Sequence, residues 1–375
     1  MGKRRILAEE LMLGTVLAWD AYDERGRLLL RKGDVISSNN QVDGLIARGL
    51  FALADPVRRP EFVRDKQGPS AVSPILEARY RLELICGSDE PNDNFMNEIY
   101  GLGDLIGEAC RLNQDVALAT ALFERDGRYS IRHAMDVGIA CHVVGRALEM
   151  DEDVLSSTVA AALTMNITIL HLQDQLQSQK EPLSPEQRDT INRHPQEAAT
   201  FLRQVGVTDE VWLEAVLSHH EAIDGSGYGL GKKGDEISVS AQLVSLADVY
   251  CARISSRKYR RALRPNAALK ALFLDQGKKV SQDLAGLFIK AIGVFPAGTP
   301  VRLQNGEIAV VTACGENART PQVSSIVAPH GMPLVKPIKR DTRDPACAVR
   351  EVMEWSDVGA MPNMQTLWGK VGAAQ

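Results

Sequence analysis

The sequence predicts a mainly α-helical protein with a small β-rich unit at each end. Apolar residues recur at helical spacing from about residue 75 to 294. Short strand-like runs, punctuated by turn formers, occur before residue 56 and after residue 298. A polar stretch bearing several prolines, 57–74, separates the first β-rich part from the helices. The expected organisation is therefore a β-rich unit over 1–56, a linker over 57–74, a helical domain over 75–294 and a β-rich appendage over 295–375. At 375 residues the chain has room for two or three such domains.

In chain order, Gly14–Trp19 and Leu28–Leu30 read as strands on either side of the turn former Asp23-Glu24-Arg25-Gly26. Gln41–Arg48 carries a short helical pattern. Amphipathic helices are expected over Ala71–Ile85, Phe95–Leu112, Ile131–Leu148, Val154–Leu176 and Pro185–Val205. Ser184 is a candidate N-cap, followed by Pro185 in the first turn, where its missing N–H costs nothing. Glu210–Glu221, Ser240–Ser255, Pro265–Phe273 and Ser281–Ile292 continue the helical series. Val301–Leu303 and Ile308–Thr312 face each other across Asn305-Gly306, a strong hairpin signal. Beyond Pro337 the tail offers little periodicity and reads as partly flexible.

Charge is mixed along the chain, with 43 basic and 48 acidic residues, so there is no electrostatic footprint for DNA. The six cysteines contain no CxxC pair and read as reduced, packed thiols. Glu9 and Glu10 interrupt the apolar run near the start, and no uninterrupted apolar stretch reaches spanning length. A cytoplasmic protein without a membrane span is the expectation.

The most informative segment is His219-His220-Glu221-Ala222-Ile223-Asp224-Gly225-Ser226-Gly227-Tyr228-Gly229. Two adjacent imidazoles with nearby carboxylates offer what a divalent metal needs: neutral nitrogen donors, and acids to ligate or to orient the rings. The alternative is a helix end closed by a glycine turn. Only seven histidines occur in the chain. His194, before Pro195, and His133 are further candidate ligands. Asp248 lies in the apolar run 243–248, where an ionised carboxylate needs a partner, a metal or an arginine.

His194-Pro195, the block from His219 to Tyr228, Ala247-Asp248-Val249-Tyr250 and Ser256-Arg257-Lys258-Tyr259-Arg260 occur in the order seen in the HD-GYP domain family, which this chain resembles over about residues 75–294. The resemblance implies an HD-GYP-type helical bundle of the HD phosphohydrolase superfamily. It also implies two or three metal ions, usually iron or manganese, and hydrolysis of the bacterial messenger cyclic di-GMP. Against that pattern three positions depart together. With the register fixed by His194-Pro195, Met165 stands where the family has the histidine of its His-Asp dipeptide, Asn166 where it has the bridging aspartate, and Ile169 where it has a lysine.

The consequences follow by ligand. The family's first metal keeps only His133 and Asp248 here. The second keeps His194, His219 and His220, and three nitrogens with an open position can still hold Zn²⁺ or Fe²⁺. Without a bridging carboxylate two ions cannot clamp the attacking and leaving oxygens, and Ile169 cannot stabilise phosphate charge. His171 and Asp174 follow Met165 by offsets that turn roughly 240° and 180° on a continuous helix, away from its face. His142 likewise faces away from the side of His133.

Glu221, Asp224, Gly225, Gly227 and Tyr228 form a loop that the resemblance links to contacts with diguanylate cyclase (GGDEF) domains. Gly229 replaces the family's proline, which removes a φ restraint and predicts a looser loop. Arg257 and Arg260 could meet substrate phosphates, or be a solvated basic helix start. The resulting expectation is a catalytically degenerate member of cyclic di-GMP signalling, holding one divalent ion (Fe, Mn or Zn) or none. It acts by binding the nucleotide or a signalling protein, with dimerisation left open. The alternatives are a phosphodiesterase with a reduced metal site and a metal-free scaffold.

Overall fold

The structure is a computed structural model. It describes residues 69–87, 94–255, 262–275, 277–315, 317–359 and 361–374, and four short strands nearer the start. The chain divides into two units, Met1–Arg64 and Asp65–Gln375. In the first, β1 (Lys3–Arg5), β2 (Ala21–Tyr22), β3 (Leu28–Leu30) and β4 (Phe51–Leu53) form an antiparallel sheet in the order β1-β4-β2-β3. Leu28–Leu30 is thus a strand as expected. The expected strand over 14–19 and helix over 41–48 lie outside the described residues.

The second unit is mostly helical. Helix α1 (Val72–Gly87) begins inside the stretch expected to be linker, because Ser70 and Ala71 are buried and held. Helix α2 (Phe95–Phe123) runs past Leu112 but turns extended at Asn113 (φ −167°, ψ 106°). The Asn113 side chain accepts from Val116 N at 3.0 Å and caps the second half. Helix α3 (Tyr129–Ala147) follows, then α4 (Glu152–Thr164), a 3₁₀ turn (Ile167–Ile169), α5 (Leu170–Ser178), α6 (Pro185–Gln204) and α7 (Glu210–Ser218). Ser184 caps α6 in a reciprocal box with Gln187, as the Ser-Pro start predicts.

The expected single helix over 154–176 is therefore corrected to two helices with a break at Met165–Ile169. Asn166, Ile167, Thr168 and Ile169 are a run of weak helix formers, which periodicity alone does not register. Thr164 marks the end: its hydroxyl bonds back to Ala160 O at 2.7 Å and accepts Trp212 Nε1 at 2.7 Å. Among the described residues Glu152–Ser178 is also the one stretch long and apolar enough to cross a membrane. Its most apolar 18-residue window is 72% buried inside the protein, as expected of a core helix.

Helices α8 (Val239–Ile254), α9 (Pro265–Leu274) and α10 (Gln282–Ile292) complete the bundle. Its core joins Ile99, Leu102, Ile106, Ile139, Leu163, Trp212, Leu243 and Phe288. Then β5 (Pro300–Leu303), β6 (Ile308–Ala313), β7 (Gln322–Val327), β8 (Pro333–Asp341) and β9 (Val349–Val352) form an antiparallel sheet in the order β8-β7-β6-β5-β9. The Asn305-Gly306 turn joins β5 to β6, with Gly306 at φ +89°.

Beyond Pro337, where the sequence shows little periodicity, the chain still carries regular structure. β9 pairs with β5, and helix α11 (Met364–Trp368) sets Trp368 Nε1 on Thr312 O at 2.8 Å. The last residues then clasp the start of α1, through Ser70 Oγ to Ala373 O at 2.5 Å and Ala71 N to Val371 O at 2.9 Å. Tertiary anchors of this kind leave no local periodicity to read.

Candidate metal centre

His194, His219 and His220 each offer a ring nitrogen, and the three donor atoms lie within 4.8 Å of one another. Each position has a local cause. His194 is buried in the middle of α6, immediately before Pro195. Proline has no N–H, so the carbonyl of Ile191, four residues back, has lost its helical donor. His194 Nδ1 takes that carbonyl at 2.6 Å. His219 follows the end of α7, where carbonyls run out of helical partners, and its Nδ1 takes Val216 O at 2.7 Å.

A carbonyl can only accept, so both Nδ1 atoms carry the hydrogen and both Nε2 atoms present lone pairs. Those two Nε2 atoms are 3.2 Å apart. Two acceptors at that distance repel unless a cation lies between them. Burial, reinforced by the charge of His219, pushes His194 down to about 3, so the imidazolium form does not relieve the clash. Burial likewise lowers His219 and His220. Two tautomers fixed by backbone carbonyls, with nitrogen lone pairs converging in a place hostile to protons, fit a divalent transition metal.

Pro195→Ala separates the two effects of the proline. The new N–H can bond Ile191 O and compete with His194 Nδ1. The metal-free protein is expected to gain about 1–3 kcal/mol of stability, while metal affinity falls about tenfold. Calorimetric unfolding and metal titration check the opposite signs.

The other two ligand candidates meet each other. His133, one turn into α3, donates Nε2–H to Asp248 Oδ1 at 2.7 Å. The partner of Asp248 is thus an imidazole, where the sequence suggested a metal or an arginine. Burial pushes the Asp248 carboxyl up, but the His133 hydrogen bond and the charges of His133, His220 and His219 outweigh it and hold it well below the usual range. His133 Nδ1 is buried without a partner among the described residues.

Met165 and Asn166 are buried at the end of α4, and Ile169 is buried in the turn that packs on α6. The broken helix does not recruit substitutes. His171 is exposed, and Asp174 accepts from Ser130 N (2.8 Å), Ser130 Oγ (3.0 Å) and Arg128 Nε (2.9 Å), capping α3.

The loop after His220 makes several contacts in place of the proline restraint. Tyr228 stacks on His220, with centroids 4.6 Å apart and planes at 23°, and Tyr228 N donates to His220 O at 3.0 Å. Glu221 is a loop former here: its Oε1 accepts Leu230 N and, at 2.8 Å, Gly231 N. Asp224 is exposed and accepts Ser226 N at 2.9 Å, and Gly225 turns the chain at φ +77°. A Cβ on Gly227 would come within 2.4 Å of Ala222 N, so only glycine fits.

Gly229 has φ +129°, which proline cannot adopt. Gly229→Pro is therefore expected to destabilise the protein by about 2 kcal/mol, measured by denaturant unfolding, although it restores the GYP spelling. Arg257 and Arg260 lie outside the described residues.

Sequence reasoning did not single out Arg125 and Arg132. Together with Tyr129, His133 and Asp136 they line a cleft of about 240 Å³. Arginines in loops and helix starts carry no spacing signature that distinguishes them.

Comparison with known proteins places these features. A family model described as HD domain matches residues 116–284, which hold all the ligand candidates. The chain is similar to the cyclic di-GMP phosphodiesterase PA4108 of Pseudomonas aeruginosa, 27% identical over 223 residues, covering 59% of this chain and 54% of that protein. It is similar to the cyclic di-GMP phosphodiesterase PdeB of Borreliella burgdorferi, 24% identical over 200 residues, covering 53% and 52%. The chain thus spans about half the length of these curated relatives. In fold it is similar to Bd1817, an HDG"Y"P protein from Bdellovibrio bacteriovorus, with a TM-score of 0.53 at 17% identity over 78% of this chain and 99% of that one.

Proposed function

The chain belongs to the HD-GYP family of HD-domain proteins, and from that premise we propose that it serves bacterial cyclic di-GMP signalling as a catalytically degenerate member. In this reading it holds one divalent ion, binds the nucleotide, and does not turn it over efficiently. The observation that carries the reading is the contrast between the two halves of the centre. Three imidazoles converge, two of them with their Nε2 lone pairs facing each other, while the residues that the resemblance sets at the dipeptide, Met165 and Asn166, are buried and His133 is bonded to Asp248.

His194, His219 and His220 would hold the ion, which would supply Lewis acidity toward a phosphate oxygen. No carboxylate is supplied at Asn166 to bridge a second ion. An amide oxygen is neutral and a poorer donor to a hard cation. The pinned loop exposes Asp224 and Leu230 beside this centre, a surface suited to a signalling partner such as a GGDEF domain. A cytoplasmic location completes the reading.

The test is to titrate cyclic di-GMP into metal-loaded protein while monitoring hydrolysis. Saturable binding with turnover at least about a hundredfold below that of a two-metal relative is expected. Robust turnover abolished by His219→Ala contradicts degeneracy and supports the reduced-site phosphodiesterase. Metal-free protein that binds no nucleotide supports the scaffold.

A further inference from the structure

The cleft beside His133 brings two guanidiniums to one wall. Arg125 follows the end of α2, and Arg132 precedes His133 on α3. Arg132 Nη1 donates to the Arg125 carbonyl at 2.5 Å, which holds the two residues together. The Arg125 side chain spends only Nε, on Leu122 O at 3.1 Å, so its two Nη groups have no hydrogen-bond partner among the described residues. Arg132 Nε is buried and also unpartnered among them. Glu124 and Asp136 line the same cleft, yet neither is in ion-pair contact with either arginine. Two like charges are thus kept close enough to disfavour each other, with donors in hand, and the Asp136 carboxyl is near enough to feel both without forming a salt bridge to either. Such a pair is relieved by a bound oxyanion, and the planar guanidinium fork matches phosphate oxygens two at a time.

We propose that Arg125 and Arg132 form a phosphate-holding pair for the nucleotide ligand of the adjacent histidine centre. The proposal rests on the nucleotide-binding reading above and goes further in naming the residues. It also assigns a new source for the positive charge that Ile169 cannot supply. The cleft of about 240 Å³ suits a phosphate group rather than a whole dinucleotide, so the arginines hold one phosphodiester while the remainder of the ligand extends out of the cleft. Their role is binding and positioning. The bonds are charge-assisted and partly sheltered from water, so each should matter more than a surface arginine does.

The experiment uses the full chain, with Arg125→Gln and Arg132→Gln made singly, and inorganic phosphate and cyclic di-GMP as separate probes. Each probe is titrated by calorimetry at two salt concentrations, with metal-loaded and with chelator-treated protein. For cyclic di-GMP, each variant is expected to weaken binding about tenfold and to flatten its salt dependence, with metal content unchanged. Phosphate should bind weakly to the wild-type protein even after chelation, and less to either variant.

Unchanged dinucleotide affinity in both variants overturns the proposal, as does phosphate binding that disappears on chelation and ignores both substitutions. Failure of the nucleotide-binding reading shows separately, as a metal-loaded wild-type chain that binds phosphate through Arg125 and Arg132 but binds no cyclic di-GMP. Arg125→Lys is the folding control: it keeps the charge but loses the fork, and it should recover part of the affinity.

Discussion

Met165→His combined with Asn166→Asp is expected to raise the metal content from about one ion per chain to about two, and to raise cyclic di-GMP hydrolysis at least about a hundredfold. The physical basis, on the proposed reading, is that a second ion would lack ligands at 165 and 166 but would find His133 and Asp248 in place. His133 and Asp248 already stand 2.7 Å apart with the carboxyl held in its ionised form. A histidine at 165 and a bridging carboxylate at 166 complete a donor set around them. Met165 is 1% exposed and ends α4, so the exchange costs packing. Met-to-His buries a polar ring, and the metal-free variant should lose about 2 kcal/mol of stability, regained on metal addition. Metal analysis and a turnover assay check both outcomes. A variant that folds yet stays at one ion means that Met165 and Asn166 are not the dipeptide positions.

His219→Ala should have the second-largest effect. It removes a donor whose tautomer the backbone fixes and whose lone pair faces that of His194 at 3.2 Å. Metal affinity is expected to fall by more than about a hundredfold. The metal-free protein responds differently, because the substitution also removes the repulsion between the two Nε2 atoms and offsets part of the cavity cost. Added metal should therefore raise the Tm of the wild-type protein and leave that of His219→Ala unchanged. Thermal unfolding with and without Mn²⁺, Fe²⁺ or Zn²⁺ reads this directly.

Much of the fold was legible because helical periodicity reports on burial along one face. Helix boundaries at Ser184-Pro185 and the hairpin at Asn305-Gly306 were legible because capping and turn chemistry are local. The break at Met165–Ile169 was not, since apolar residues continue through it and only β-branching and Asn166 oppose the helix. The clasp of the C-terminus on Ser70 and Ala71 joins residues far apart in sequence and leaves no local mark. Within the candidate centre, the three imidazoles were legible from residue type and order. Their tautomers were not, because these depend on a carbonyl freed by Pro195 and another at the end of α7. The backbone geometry at Gly229 was not legible for a related reason. The missing proline suggested only a lost restraint, whereas Gly229 has a positive φ that proline cannot adopt, beside the Glu221 carboxylate that accepts Gly231 N.

Half a centre is the core of this account, and counting metal tests it most directly. The protein, prepared without a metal-affinity tag, loaded with Mn²⁺, Fe²⁺ or Zn²⁺ and freed of loosely bound ions, should retain about one ion per chain, held by three imidazoles. Two retained ions per chain, or none, would contradict it.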